Sequence, residues 1–95
     1  MCSSDLLFAL SAAWLSEITI AEGRIVQRNF RDYPMLRLAD APAVTTAFVH
    51  SEAPLGGLGE PAVPPLAPAV TNAIFAATGV RVRTLPINKT PLTKA

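Results

Sequence analysis

The amino-acid sequence predicts a small α+β fold. Two stretches, residues 5–15 and residues 66–78, carry apolar side chains at the three- and four-residue spacing of a buried helix face. Other stretches are rich in β-branched residues and are separated by glycines and prolines, a pattern typical of strands and turns. With 95 residues, 51% of them hydrophobic, the chain has the length of one small domain or of part of a larger one.

The first predicted element is a helix over residues 5–15. Such a helix is apolar nearly all round and therefore requires protein on both sides, which the rest of this chain is too short to supply. We therefore expect a fragment of a larger protein. The run is shorter than the roughly 20 residues of a membrane span and lacks the basic start of a secretory signal. Its predicted buried face consists of Leu6, Leu7, Leu10, Ala13 and Trp14, and its opposite face of Phe8, Ala9 and Ala12.

Two β elements are predicted next. Residues 17–20 and 24–27 favour strands, and Gly23 between them can adopt the positive φ of a tight turn, so a β-hairpin is expected. Residues 44–50 form a further strand in this interpretation. That strand pairs either with the hairpin or with strands that this chain does not contain.

The second half of the chain is predicted as loop, helix and edge strand. Residues 51–65 concentrate glycine and proline and form an irregular loop. A helix follows from about residue 66 and stops at Gly79, with Phe75 in the core like Trp14. Residues 80–86 alternate apolar and basic side chains as a short edge strand does, and residues 87–95 are expected to be a loose tail. The buried stripe of the helix is predicted to hold Ala67, Val70, Ile74 and Ala77.

Composition excludes several classes of function. Cys2 is the only cysteine and His50 the only histidine, so the chain contains neither a disulfide framework nor a zinc ligand set. The net charge of +1 and the absence of long charge runs argue against nucleic acid as a partner. Arg28, Arg31 and Arg37 are interpreted as surface charges with local carboxylate partners in preference to the lining of a channel.

One loop combines features that suit acid/base chemistry: Gly56-Gly57-Leu58-Gly59-Glu60-Pro61. Glycines allow the backbone to approach a bulky ligand, and Pro61 restricts Glu60 to an extended conformation. The helix that follows is expected to present unpaired N–H groups and a positive dipole. The spacing matches neither phosphate-binding glycine pattern, however, so on residues alone a plain connection with a solvated Glu60 is favoured.

Three motifs that follow one another along the chain favour the functional interpretation of this loop instead: residues 28–37, residues 56–61 and residues 64–79. Together they resemble the C-terminal region of molybdenum hydroxylase large subunits, the xanthine dehydrogenase/aldehyde oxidase family. Within it, the likeness is greatest to the isoquinoline oxidoreductase β-subunit and to periplasmic aldehyde dehydrogenases. The resemblance implies that residues 7–87 are the C-terminal part of a molybdopterin-binding domain, with residues 1–6 outside the family pattern and residues 88–95 a flexible tail.

The same resemblance implies a site and a reaction. Glu60 is the general base that takes a proton from a molybdenum-bound hydroxyl, and Leu58 and Gly59 pass their backbone close to the cofactor. Water-derived oxygen is thereby transferred to an aldehyde or an N-heterocycle. The implied cofactors are molybdopterin in the full-length enzyme and iron-sulfur clusters on a partner subunit.

The implied partners are the remainder of the large subunit, an iron-sulfur small subunit and the small-molecule substrate. A periplasmic or membrane-associated location is also implied, with any export signal outside this chain. Because the upstream cofactor-binding segments of the family are absent, we expect the isolated chain to be inactive. The alternative is a small structural or interaction domain of α+β class with no catalytic role.

Overall fold

Two helices packed against each other form the frame of the molecule in the computed structural model, which describes residues 3–93. A two-stranded antiparallel sheet lies between them in sequence. The mixed helix and sheet content confirms the α+β prediction at this level. The elements are α1 (Ser3–Trp14), β1 (Ile20–Ala21), β2 (Arg24–Ile25), a 3-10 turn (Leu38–Asp40), α2 (Val63–Thr78) and a second 3-10 turn (Ile87–Lys89).

The core lies where α1, α2 and the second 3-10 turn meet. Ile87 is completely buried, and Ala13 and Val82 are nearly so. The prediction of a loose tail beginning at Ile87 is therefore wrong at that residue, because the 3-10 turn brings the chain back onto α1. Lys94 and Ala95, at the end of the predicted tail, lie outside the described residues. The partly buried residues packed around this core are Trp14, Leu66, Ala67, Val70, Ile74 and Leu92.

Helix α1 is buried along its small residues. Ala9, Ser11 and Ala13 are buried, whereas the leucines of the predicted inner face are only half-buried. Phe8 on the other side remains 67% exposed. The prediction that Ala9 lies opposite the buried face is thus wrong, and the expectation that this chain cannot cover the whole helix is consistent with the exposure of Phe8. Met1 and Cys2 precede the described residues.

The predicted hairpin is present but shorter than expected. Ile20 pairs with Ile25 and Ala21 with Arg24, which leaves a two-residue turn. Glu22 and Gly23 in that turn both have positive φ, 51° and 73°, the combination of a type I′ turn. Outside the strands, further hydrogen bonds join the ends of the hairpin. The Val26 N–H donates to the Thr19 carbonyl (2.9 Å), the Thr19 N–H to the Gln27 side-chain oxygen (2.8 Å), and the Gln27 side-chain amide to the Thr19 hydroxyl (2.9 Å).

Two predicted strands do not form in the described chain. Residues 44–50 and 80–86 have no ladder partner, because the sheet contains β1 and β2 only. In the second segment the alternation of burial is nevertheless observed, with Val82 buried and its arginine neighbours exposed. Packing against α2, not strand pairing, therefore explains that pattern.

Helix α2 begins three residues earlier than predicted and ends where predicted. Pro64 and Pro65 occupy its first turn, and Gly79 closes it in the left-handed conformation at φ 71°. Phe75 is exposed, contrary to its prediction as a core residue, and the Arg81 guanidinium stacks over its ring at 3.7 Å. Ala77 is also exposed, and the rest of the predicted stripe, Ala67, Val70 and Ile74, is half-buried.

The chain exposes far more surface than its size requires. Its accessible area is 7737 Å², whereas a compact monomer of this mass exposes about 5,200 Å². The radius of gyration is 16.3 Å, against about 12 Å for a compact domain of this length. Large apolar areas therefore remain uncovered. Among residues 3–93, neither helix combines the length and the apolar character required to cross a lipid bilayer.

Candidate functional site

The glycine loop lies in the long irregular segment that leads into α2. All of residues 51–61 are exposed, and Leu58 retains 60% of its accessible surface. The Glu60 carbonyl accepts a hydrogen bond from the Val63 N–H at 2.9 Å. This turn attaches the backbone of Glu60 to the start of α2 and leaves its carboxylate at the surface.

The start of α2 does not offer the N–H groups that the sequence analysis expected. Pro64 and Pro65 lack an N–H, and the N–H of Val63 is already bonded to Glu60. No side chain caps this end, and the first turn carries no acidic residue. The expectation of unpaired N–H groups is therefore wrong for residues 63–65, and the helix dipole remains to favour negative charge here.

The loop glycines face open space. A Cβ atom added to Gly56, Gly57 or Gly59 would meet no atom of the chain within 4 Å. None of the three adopts a positive φ, so no backbone strain within the chain requires glycine at these positions. If close approach is the reason for glycine, the approaching group is not part of the described chain.

Residues 28–37, which contain three arginines, form a separate segment and line a cavity. The cavity has a volume of about 560 Å³, and Arg31 and Arg37 lie in its wall. Hydrogen bonds shape this segment: the Asn29 side chain accepts the Arg31 N–H at 2.8 Å, and buried Ser11 accepts the Leu36 N–H at 2.9 Å. The full wall consists of Phe30, Arg31, Tyr33, Pro34, Met35, Leu36 and Arg37.

The predicted carboxylate partners of the arginines are not found. Within residues 3–93 the ion pair observed joins Lys89 to Glu17, both at the surface. Asp32 bonds the backbone N–H of Arg28 (3.1 Å), not a guanidinium. Arg28, Arg31 and Arg37 are exposed, as predicted for surface charges, but the prediction of local carboxylate partners is wrong for the described residues.

A metal ion would need ligands from elsewhere. Among the described residues no three His, Cys, Asp or Glu side chains come together to hold one, and His50 lies exposed in the irregular segment. The glycine loop supplies one carboxylate and accessible backbone. This donor set fits a position beside a metal carried by an organic cofactor, and does not fit the role of the metal's own ligands.

Comparisons of the sequence with known proteins show which proteins this chain is similar to. The chain is 41% identical over 81 residues to a membrane-bound aldehyde dehydrogenase of Gluconacetobacter polyoxogenes whose name carries pyrroloquinoline-quinone, a match covering 85% of the chain. It is 33% identical to the isoquinoline 1-oxidoreductase subunit beta of Brevundimonas diminuta over 82% of the chain. It is 37% identical, over 74% of the chain, to a putative xanthine dehydrogenase molybdenum-binding subunit of Escherichia coli (strain K12).

The chain belongs to the molybdenum hydroxylase family. A match over 81 of 95 residues leaves at most 14 outside it, so it contains everything from residue 15 to residue 81, including the glycine loop. The chain spans about a tenth of the length of each of these molybdenum hydroxylase relatives: 10% in all three cases. No protein-family model matches the chain, and no solved structure matches it.

Proposed function

We propose that this chain is part of a molybdenum-dependent oxidoreductase that hydroxylates aldehydes or N-heterocycles with water-derived oxygen, and that Glu60 is its general base. One observation carries the proposal. The matches to relatives named as aldehyde dehydrogenase and as isoquinoline oxidoreductase extend across a loop that presents a single exposed carboxylate between Gly59 and Pro61. A general base must reach the proton that it removes, and an exposed carboxylate on an anchored turn is able to do so.

In this proposal, neighbouring residues anchor Glu60, and the carboxylate of Glu60 transfers the proton. The Val63 N–H holds the Glu60 backbone, and Pro61 restricts the conformations of Glu60. The carboxylate oxygen then accepts a proton from the water-derived oxygen as that oxygen attacks the substrate. Leu58 and Gly59 contribute backbone that a bulky cofactor can approach, since nothing in the chain blocks Gly59.

Molybdopterin, when bound, would supply the oxygen-transfer and two-electron chemistry, and iron-sulfur clusters on a small partner subunit would be the electron acceptor. The remainder of the large subunit holds the cofactor in this proposal, so the isolated chain is inactive. Membrane association is proposed because the Gluconacetobacter relative is named as membrane-bound, and a periplasmic location is proposed from the family resemblance alone. Cell fractionation of the intact enzyme tests that part.

The deciding experiment is Glu60→Gln in the intact enzyme. The amide keeps the shape of the side chain but cannot act as a base, so turnover should fall by about 10²–10⁴-fold while molybdenum and pterin contents stay unchanged. Glu52→Gln is the matched control, because Glu52 is an exposed glutamate of the same irregular segment. The control should retain normal turnover.

Near-normal turnover of Glu60→Gln would remove the catalytic role. Cofactor analysis of the wild-type enzyme separates the remaining possibilities, since one relative is named for pyrroloquinoline-quinone and another as molybdenum-binding. Quinone without molybdenum would contradict the proposal. Absence of both, with no turnover, would favour the structural or interaction domain.

A further inference from the structure

The backbone of the segment before the glycine loop has unused hydrogen-bonding capacity. Between the Ala41 N–H, which bonds the Leu38 carbonyl, and the Val63 N–H, which bonds Glu60, the described chain makes no backbone-to-backbone hydrogen bond. Among residues 3–93, no side chain forms a hydrogen bond with residues 44–50 either. In folded proteins nearly all such groups find partners once they are covered.

The side chains of residues 44–50 are those of a strand. Val44, Thr45, Thr46 and Val49 are β-branched, Phe48 is aromatic, and the run contains no glycine, proline or formal charge. Phe48 is 76% and Val49 93% exposed. An exposed apolar strand with unpaired backbone is the situation that native proteins avoid, because it recruits further strands.

The chain itself does not supply the missing edge. The sheet consists of β1 and β2, each of two residues, and residues 44–50 do not pair with it. The prediction that this strand pairs with the hairpin is thus wrong, and pairing with strands outside the described chain is left. The chain exposes about 2,500 Å² more surface than a compact monomer of its mass. This excess is about three times the roughly 800 Å² that one partner buries in a standard interface.

We infer that residues 44–50 add as a strand to the open edge of a β-sheet supplied by the rest of the molybdenum-binding polypeptide. The inference depends on the proposed function, because the partner is the part of the subunit that lies beyond the tenth matched here. The match to the aldehyde dehydrogenase relative necessarily includes residues 44–50. Main-chain hydrogen bonds provide the affinity in this mode of docking, and alternate side chains provide the register.

Docking of this strand has a consequence for Glu60. The glycine loop is anchored at its far end by the Val63 N–H bond and α2. A paired strand at residues 44–50 anchors its near end as well, so that the loop is held on both sides. The strand is therefore a positioning element for the base and does not itself contact the reacting atoms.

Hydrogen–deuterium exchange on the intact subunit and on the 95-residue chain tests the inference. In the intact subunit the amides of residues 44–50 should exchange at least about 100-fold more slowly than in the isolated chain, as paired strands do. Thr46→Pro and Ala47→Pro are made in parallel, since only one of two adjacent N–H groups in an edge strand enters the ladder. At least one of them should abolish the protection and lower kcat with molybdenum content retained, whereas Glu52→Pro, outside the strand, should do neither.

Equal exchange of residues 44–50 in both samples would overturn the inference. Protection that appears in the isolated chain as its concentration is raised would also overturn it, since a second copy would then be the partner. The exchange result does not depend on the role of Glu60. Protection together with a fully active Glu60→Gln enzyme would refute the catalytic role of Glu60 and leave the strand assignment standing.

Discussion

Replacing Ile87 by alanine measures how much of the stability of this chain rests on its small core. Ile87 is completely buried against α1 and α2 side chains. Loss of three buried carbon groups at about 0.8 kcal/mol each removes about 2.4 kcal/mol of transfer free energy, and the cavity left behind raises the expected cost into the range of about 2–5 kcal/mol. That is a large share of the roughly 5–15 kcal/mol that stabilises a typical domain.

The assay is urea unfolding of the 95-residue chain, followed by fluorescence of Trp14, the single tryptophan, which packs on the core. The midpoint should fall by about 1 M or more. Ile20→Ala is the matched control: it deletes the same atoms from a side chain that is 73% exposed, and it should cost under about 1 kcal/mol. Equal midpoint shifts for the two variants would refute the assignment of Ile87 to the core and restore the loose tail.

Three further variants probe local features. Ser11→Ala removes the side-chain acceptor of the Leu36 N–H, a 2.9 Å hydrogen bond at a buried serine. It should lower the free energy of unfolding by about 1–2 kcal/mol. Ser16→Ala is its control and should change the unfolding midpoint little, because the Ser16 hydroxyl makes only a 3.3 Å bond. Gly79→Ala forces a Cβ into the left-handed conformation at φ 71° and should cost about 1 kcal/mol or more in the same urea experiment; an unchanged midpoint would argue against that C-cap. Gly59→Ala should leave the stability of the chain unchanged, since nothing lies within 4 Å of the added Cβ, yet lower cofactor content or turnover in the intact enzyme; full activity there would remove Gly59 from the cofactor contact.

The elements that were predicted correctly depend on local chemistry. The hairpin turn at Gly23 and the helix stop at Gly79 were both predicted from the conformational freedom of glycine, whereas the positive φ of Glu22 that makes the turn type I′ was not predicted. Helix α2 follows from its apolar spacing and from Pro64 and Pro65 in its first turn, although Pro68, predicted for the first turn, lies further inside the helix. The family was also readable from sequence, because three motifs occur in order over most of the chain, and the comparisons confirm it.

The wrong predictions concern partners in space. Residues 44–50 have the composition of a strand, but a strand needs a neighbouring edge, and the described chain offers none. Two further predictions failed for the same reason. Carboxylate partners for Arg31 and Arg37 depend on the path of the chain. Free N–H donors at the start of α2 are missing because Pro64 and Pro65 have none and the Val63 N–H bonds the Glu60 carbonyl. The catalytic role of Glu60 and the cofactor contacts of Leu58 and Gly59 stay predictions.

The sequence by itself determined the two helices, the tight hairpin turn and membership of the molybdenum hydroxylases, because each depends on residues close together in the chain or on motifs in a set order. Only the tertiary structure decided that Ile87 closes the core and that Ala9 and Ser11 are covered while Phe8, Phe48 and Val49 are not. Burial depends on which segments return to meet one another. With about 2,500 Å² more exposed surface than a compact monomer of its mass, the described part of this chain forms only a small core, where α1, α2 and the second 3-10 turn meet.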